Sequence, residues 1–300
     1  MHRLTITLLV LVSVVMTAGS WRTPATAAAA DTFRVVTFNI HKGADRREHY
    51  HLDRTIDAIQ QLNADLVGLQ EVMRNHEGFN CDDQPALIAE GLRQRTGRPW
   101  THAYMKSWIT ENRRCLERGQ GDEVETEGVA FFAPERMLST SSVRLSEGRV
   151  GLAVRLASMP RVPVIVTHLA ANRQNAGDRA REIAALLPWA ATHGPGLLIG
   201  DLNAPADADE LTPVLARYRD AWAEAFASGR TGGVATGSTR PGRRVSRIDY
   251  VLFAPEIDLT LESVEVVDTE TLGLGEVSDH HPVVATFRRH VRPSLTLTNR

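Results

Sequence analysis

Apolar and polar positions alternate along 33–39, where Phe33, Val35, Val36 and Phe38 lead to a polar end at Asn39. That pattern predicts a strand. Leu52, Ile56, Ile59 and Leu62 recur at helical spacing, so a helix is expected over 52–62, with a short strand after it over 65–70. Further helices are expected over 85–95 and 178–190, and further strands over 162–168, 196–200, 248–253 and 283–287. Strands alternating with helices imply an α/β or α+β fold. No internal repeat is evident.

The 300 residues, 43% of them apolar, suffice for one large core. Residues 1–30 stand apart. Arg3, an apolar stretch over 4–18 and the small residues 25–30 read as an export signal, shorter than the roughly 20 residues a membrane span requires. That leaves a domain over 31–290 and a tail over 291–300, in a secreted or extracytoplasmic protein with no membrane anchor after cleavage. The formal net charge is −2, and losing Arg3 and Arg22 makes the balance more acidic. Such a total supplies no basic face for nonspecific nucleic-acid binding. The basic residues are nearly all arginine, with lysine only at 42 and 106, which reads as coding bias.

Cys81 and Cys115 are the two cysteines. In an exported chain the simplest reading is a disulfide, closing a loop of roughly 35 residues and contributing about 3–4 kcal/mol. The polar stretch 74–128, so stapled, is expected to loop over the site.

Six segments place an acid, amide or imidazole at an expected strand end: TFNIH (37–41), LQEV (69–72), VTHLAAN (166–172), IGDLNA (199–204), RIDYVLF (247–253) and SDHHPV (278–283). A sheet that ends several strands at one edge gathers hard oxygen ligands from distant parts of a chain. In order and wording these segments resemble the endonuclease/exonuclease/phosphatase family, which includes pancreatic-type deoxyribonuclease, abasic-site endonucleases, bacterial sphingomyelinases and inositol polyphosphate phosphatases. The resemblance runs from about residue 33 to 287. It implies a four-layer sandwich of two mixed β-sheets face to face, flanked by helices. It also implies a divalent-metal-dependent phosphodiesterase, with magnesium the expected ion and manganese or calcium as alternatives.

The resemblance assigns roles residue by residue. Glu71, Asp279 and Asn39 match metal-binding positions. Asp201 matches the aspartate that contacts the attacking water or the metal, and Asn203 the asparagine that holds a phosphate oxygen. At spacing two in an extended segment, Asp201 and Asn203 point to the same side. His280 suits a general base because imidazole titrates near neutrality, and Asp249 is the carboxylate that would orient it. Whether Asp201 or the His280–Asp249 pair takes the water's proton stays open. His168 matches a residue that donates to the phosphate or leaving oxygen, and His281 reads as packing. Asn172 and the Asn175–Ala176–Gly177 run weakly echo the abasic-site branch.

The loop 240–247 carries Arg240, Arg243, Arg244 and Arg247, which either grip a polynucleotide backbone or form a solvated surface. Arg113, Arg114 and Arg118 are diluted by surrounding acids. Ser246 to Asp249 lacks the Trp-Cys-Asp-Arg segment of inositol phosphatases, and 259–275 lacks the aromatic hairpin of sphingomyelinases. A monomeric nuclease is therefore the leading expectation, with a phosphatase or phospholipid phosphodiesterase as the enzymatic alternative. The remaining alternative is a binding module without catalysis, which the full set of acids, amides and histidines disfavours.

Overall fold

Strand β1 (Thr32–Asn39) buries both of its faces. Phe33 and Val35 join one apolar cluster, while Val36 and Phe38 join another on the opposite side. A strand so placed lies in the interior of a layered molecule, and the computed structural model, which describes residues 32–171, 175–242 and 245–290, bears this out.

One seven-stranded sheet runs β10 (Thr231–Gly233), β12 (Leu259–Val266), β13 (Val283–Arg289), β1, β2 (Leu66–Arg74), β4 (Thr126–Ala133) and β3 (Thr101–Ile109). The other, six-stranded, runs β5 (Met137–Arg144), β6 (Val150–Leu156), β7 (Val164–His168), β8 (Leu197–Asp201), β11 (Asp249–Phe253) and β9 (Arg219–Asp220). Both mix parallel and antiparallel pairs. The larger cluster packs Val35, Leu66 and Phe131 of the first sheet against Val166 and Ile199 of the second. Helices α1 (Leu52–Gln61) and α2 (Gln84–Thr96) cover the far face of the first sheet through Ile56, Ile59, Ile88 and Leu92. Helices α4 (Ala176–Thr192) and α6 (Ala221–Ala227) pack Ile183, Leu186 and Trp222 against the second. This is the expected sandwich.

Gly68 sets how closely the sheets approach. A Cβ there would lie 2.6 Å from Ile199 Cδ1 and 3.0 Å from Val166 Cγ2, so a side chain would force the layers apart. Truncating the buried Ile199 to alanine would cost about 2–5 kcal/mol at this contact.

Cys81 and Cys115 form the expected disulfide, joining the turn after β2 to the short helix α3 (Arg114–Glu117). The stretch it closes is no loop over the site, because it holds α2 and β3. Asp83 caps α2 by accepting from the Ala86 amide at 3.2 Å, and Gly97 ends the helix at φ +68°. The export signal over 1–30, the tail over 291–300, Asn172, Arg243 and Arg244 fall outside the described residues.

Candidate active site

Three of the expected residues form one row across the second sheet. Strands β7 and β8 run parallel with His168 opposite Asp201, and β8 and β11 run antiparallel with Asp249 opposite Asp201. Side chains directly opposite on neighbouring strands share a face. From the facing sheet, β1 ends at Asn39, whose Nδ2 donates to Asp201 Oδ2 at 3.2 Å and to Glu71 Oε1 at 3.0 Å. One buried amide thus joins carboxylates from both sheets.

Glu71 reaches this point because the pairing of β2 with β4 slips between Leu69 and Val72, and Glu71 takes φ +55°. Asn203 also sits at positive φ, +52°. Left-handed backbone at a non-glycine residue costs on the order of 1–3 kcal/mol and concentrates at functional sites. At Asn203 a hydrogen bond from its amide to Asp201 Oδ1, 2.8 Å long, offsets part of that.

The segment before β13 locks onto the same edge. Ser278 Oγ donates to the Asn39 carbonyl at 2.7 Å and accepts from the His280 amide at 3.1 Å. His280 Nδ1 then donates to Asp249 Oδ2 at 2.8 Å, leaving Nε2 3.8 Å from Asp201 Oδ2 and 3.9 Å from Asp279 Oδ1. Burial alone would push the His280 imidazole down. The carboxylate of Asp249, with Asp201 and Asp279 nearby, outweighs it and holds the ring up at about 10. Burial and the charge of Asp249 push Asp201 the same way, to about 7.

Asp279 leans outward, and Arg240 Nη2 binds its Oδ2 at 2.8 Å. Asp201, Asp249 and His280 form the tight group, with potential ligand atoms within 4.8 Å of one another. The resemblance placed metal at Glu71, Asn39 and Asp279 instead, and of these the structure joins the first two.

His168 completes the set on the other side. Its Nε2 lies 3.0 Å from Asn203 Nδ2 and 3.6 Å from Asp201 Oδ2, and its Nδ1 lies 3.1 Å from Arg149 Nη1. Guanidinium only donates, so Nδ1 accepts, while Nε2 faces the side-chain nitrogen of Asn203, itself a donor that also reaches the Leu169 carbonyl at 3.0 Å. Burial, then the charges of Arg149 and His280, hold the ring well below its ordinary range. His168 is therefore neutral.

All eight expected residues converge, with Asp279 at the rim. Sequence reasoning missed Arg149 and Glu127. Arg149 is a lone arginine before a strand, and nothing in its neighbours marks it. Glu127 lies on β4, and burial and the charge of Glu71 raise its carboxyl to about 7, against Lys42 and Arg149. The loop 240–247 reads differently from its arginine count. Arg247 is 2.7 Å from Asp220 and stacks 4.7 Å over the Tyr250 ring, so it is structural. Arg114 and Arg118 both pair with Glu77. His281 is buried, as expected of a packing residue.

A comparison of the sequence with curated proteins found no match. Solved structures of similar fold include an endonuclease/exonuclease/phosphatase from Beutenbergia cavernae DSM 12333, 22% identical, with a TM-score of 0.66, covering 88% of this chain and 73% of that one. The human Nocturnin catalytic domain is 19% identical with a TM-score of 0.61, covering 86% of this chain and 94% of its own. Humanized D. rerio TDP2 is 16% identical with a TM-score of 0.59, covering 86% of this chain and 100% of its own. The family model for the endonuclease/exonuclease/phosphatase family matches residues 36–280, nearly the whole sandwich with Asn39 at one end and His280 at the other, and the chain belongs to that family of metal-dependent phosphoester hydrolases.

Proposed function

We propose that the protein is an exported, magnesium-dependent phosphodiesterase that cleaves the backbone of nucleic acids. One observation carries the reading: Glu71 and Asp201, from facing sheets, meet at the Asn39 amide, with His168 and Asn203 on one side and the Asp249–His280 pair on the other.

The donor set fits a hard divalent cation. Asp201 resists ionisation beside Asp249, and Asp249 Oδ1 is buried with no hydrogen-bond partner, so an added positive charge relieves both. Magnesium favours carboxylate and amide oxygens and keeps much of its water. Glu71 and Asp279 would hold it, Asp279 by leaving Arg240; Asn39, expected as a third ligand, turns its Nδ2 to the carboxylates and its Oδ1 to the His41 amide, and so positions Glu71 instead. When bound, the ion neutralises phosphate charge and eases deprotonation of water.

The chain's own groups supply the rest. Asp201 presents Oδ2 among Asn39, His168 and His280, and a carboxylate raised to about 7 is poised to accept a proton from the attacking water. His280 already donates its Nδ1–H to Asp249 and, held up at about 10, keeps its own proton, which supports Asp201 as the base. The charged ring then turns Nε2–H toward negative charge growing on the phosphoryl oxygens. A phosphate that draws Asn203 Nδ2 off His168 Nε2 would let the ring, held at Nδ1 by Arg149, carry its proton on Nε2, and the two donors then grip a non-bridging oxygen.

For the substrate class, Arg240 stands half-exposed at the rim beside Asp279. The human Nocturnin domain was solved with a bound sulfate, a tetrahedral anion like phosphate. For export, the Cys81–Cys115 disulfide suits an oxidising compartment. No helix among the described residues is long and apolar enough to cross a membrane.

The test is an activity panel of plasmid, single-stranded nucleic acid, sphingomyelin and a soluble phosphomonoester, with magnesium and with chelator. Nucleic-acid hydrolysis that stops on chelation is expected. Turnover confined to sphingomyelin or the monoester would overturn the substrate and keep the family.

A further inference from the structure

Trp108 is 43% exposed, whereas Trp100, at the other end of β3, is 2% exposed. Its place is fixed by two independent contacts with the site. Across the β3–β4 pair it stands opposite Glu127, the carboxylate beside Glu71. Its ring also lies 5.9 Å from the Arg149 guanidinium, and that guanidinium touches His168. Trp108 is thus tied to the site twice, to Glu71 through Glu127 and to His168 through Arg149.

The surroundings prepare the ring. The turn at Gly148 packs beneath it, where a Cβ would lie 3.4 Å from Trp108 Cδ2, an ordinary contact. Arg149 is itself 9% exposed, and its Nε is buried without a hydrogen-bond partner. An indole held from one side by a turn and neighboured by a fixed positive charge keeps its open surface for a planar group with an anion attached beside it.

We infer that Trp108, with Arg149 beside it, is a subsite that stacks the nucleobase next to the scissile phosphodiester. The inference rests on the nucleic-acid reading of the site and specifies how that substrate is held. A quaternary ammonium headgroup, the other common partner of an exposed indole, is disfavoured because Arg149 already sets a cation against the ring. A base carries no charge, offers a π-face to the indole and brings its phosphate toward His168. Stacking of this kind tolerates any sequence, since every base has a π-face.

The experiment compares an oligonucleotide with the same oligonucleotide carrying tetrahydrofuran residues on both sides of the cleaved bond, in wild type, Trp108→Ala and Trp108→Phe. Wild type should prefer the base-bearing substrate by about 5- to 100-fold in kcat/KM, mostly through KM. Trp108→Ala should bring that ratio toward unity, and Trp108→Phe should keep most of it. A ratio near unity in wild type, or one unchanged in Trp108→Ala, overturns the subsite while leaving the nuclease reading intact. Loss in Trp108→Ala of binding to sphingomyelin vesicles, with the base preference unmoved, overturns it in favour of a lipid contact. If wild type cleaves neither oligonucleotide but hydrolyses another phosphoester, the nuclease reading falls, and the subsite with it.

Discussion

Asp201 and Asp249 face each other across the antiparallel β8–β11 pair, each 1% exposed. Folding therefore places two carboxylates side by side out of water, with His280 as the cation between them and the Asn39 amide on the other flank. The arrangement holds best when one proton or one metal ion is shared among them.

The metal-free protein should lose stability as pH rises. Burial and neighbouring carboxylates raise Asp201 and Glu127 to about 7, and His280, despite its burial, is held at about 10 by Asp249. A group raised on folding contributes stability fully present below its unfolded pKa, about 4 for carboxyls and about 6.5 for histidine, and lost as pH climbs through the folded value. Chelated protein should melt lower at pH 9 than at pH 7.5, a window above the range in which histidines held down by burial, His168 among them, gain protons on unfolding. Magnesium should narrow the gap, because it favours the ionised carboxylates. A melting temperature that is flat or rising over this window in chelator would refute the shared-charge account.

Glu71→Gln removes one carboxylate charge but keeps a group that Asn39 Nδ2 can meet. Activity should fall by more than tenfold at limiting magnesium, with part recovered at excess magnesium and the melting temperature of the chelated protein little changed. Near-wild-type turnover at limiting magnesium would remove Glu71 from the metal site.

His280 and Asp249 are joined at 2.8 Å and should act as one unit. His280→Ala and Asp249→Asn should each cost on the order of several kcal/mol of transition-state stabilisation, and the double variant little more than the worse single. Fully additive losses would count against coupling.

Arg149→Met should leave His168 Nδ1 without its donor and let both tautomers form. By comparison with outer-shell partners of functional histidines, kcat should drop by roughly ten- to a hundredfold. Nitrogen-15 chemical shifts of the ring should show the mixture. Ring shifts unchanged from wild type would show that Arg149 does not set the tautomer.

The two described arginines of the loop should separate. Arg247→Ala breaks the contacts with Asp220, which caps α6, and with the Tyr250 ring, and should cost about 2 kcal/mol of stability. Arg240→Ala should leave stability nearly unchanged and lower the slope of log affinity against log salt by about 1. The reverse outcome would restore Arg247 as a phosphate contact.

What could be read in advance follows burial only in part, since β4 and β6, nearly all buried, are not among the strands expected from the sequence. Strands β1, β8 and β13 carry nearly unbroken apolar stretches, and their ends gave Asn39, Asp201 and the segment holding His280. Strand β5, with the sequence MLSTSSVR, is an exposed edge and alternates no apolar residues. Strand β3 likewise lies at an edge, and its polar mix hid it. The site residues that announced themselves were acids and amides in recognisable segments. Arg149 acts through one contact across the β6–β7 region, and the partnership of Arg247 with Asp220 depends on how distant segments meet. Neither leaves a trace in local sequence.

The hydrogen bond from Ser278 to Asn39 spans 239 residues of chain. During synthesis Asn39 and Glu71 are made long before Asp249 or His280 exists, and β1 waits for its antiparallel neighbour β13. The chemistry thus waits on the segment around Ser278. Nascent chains and fragments clipped before it lack His280 and the closing bond, and should show no phosphoester hydrolysis.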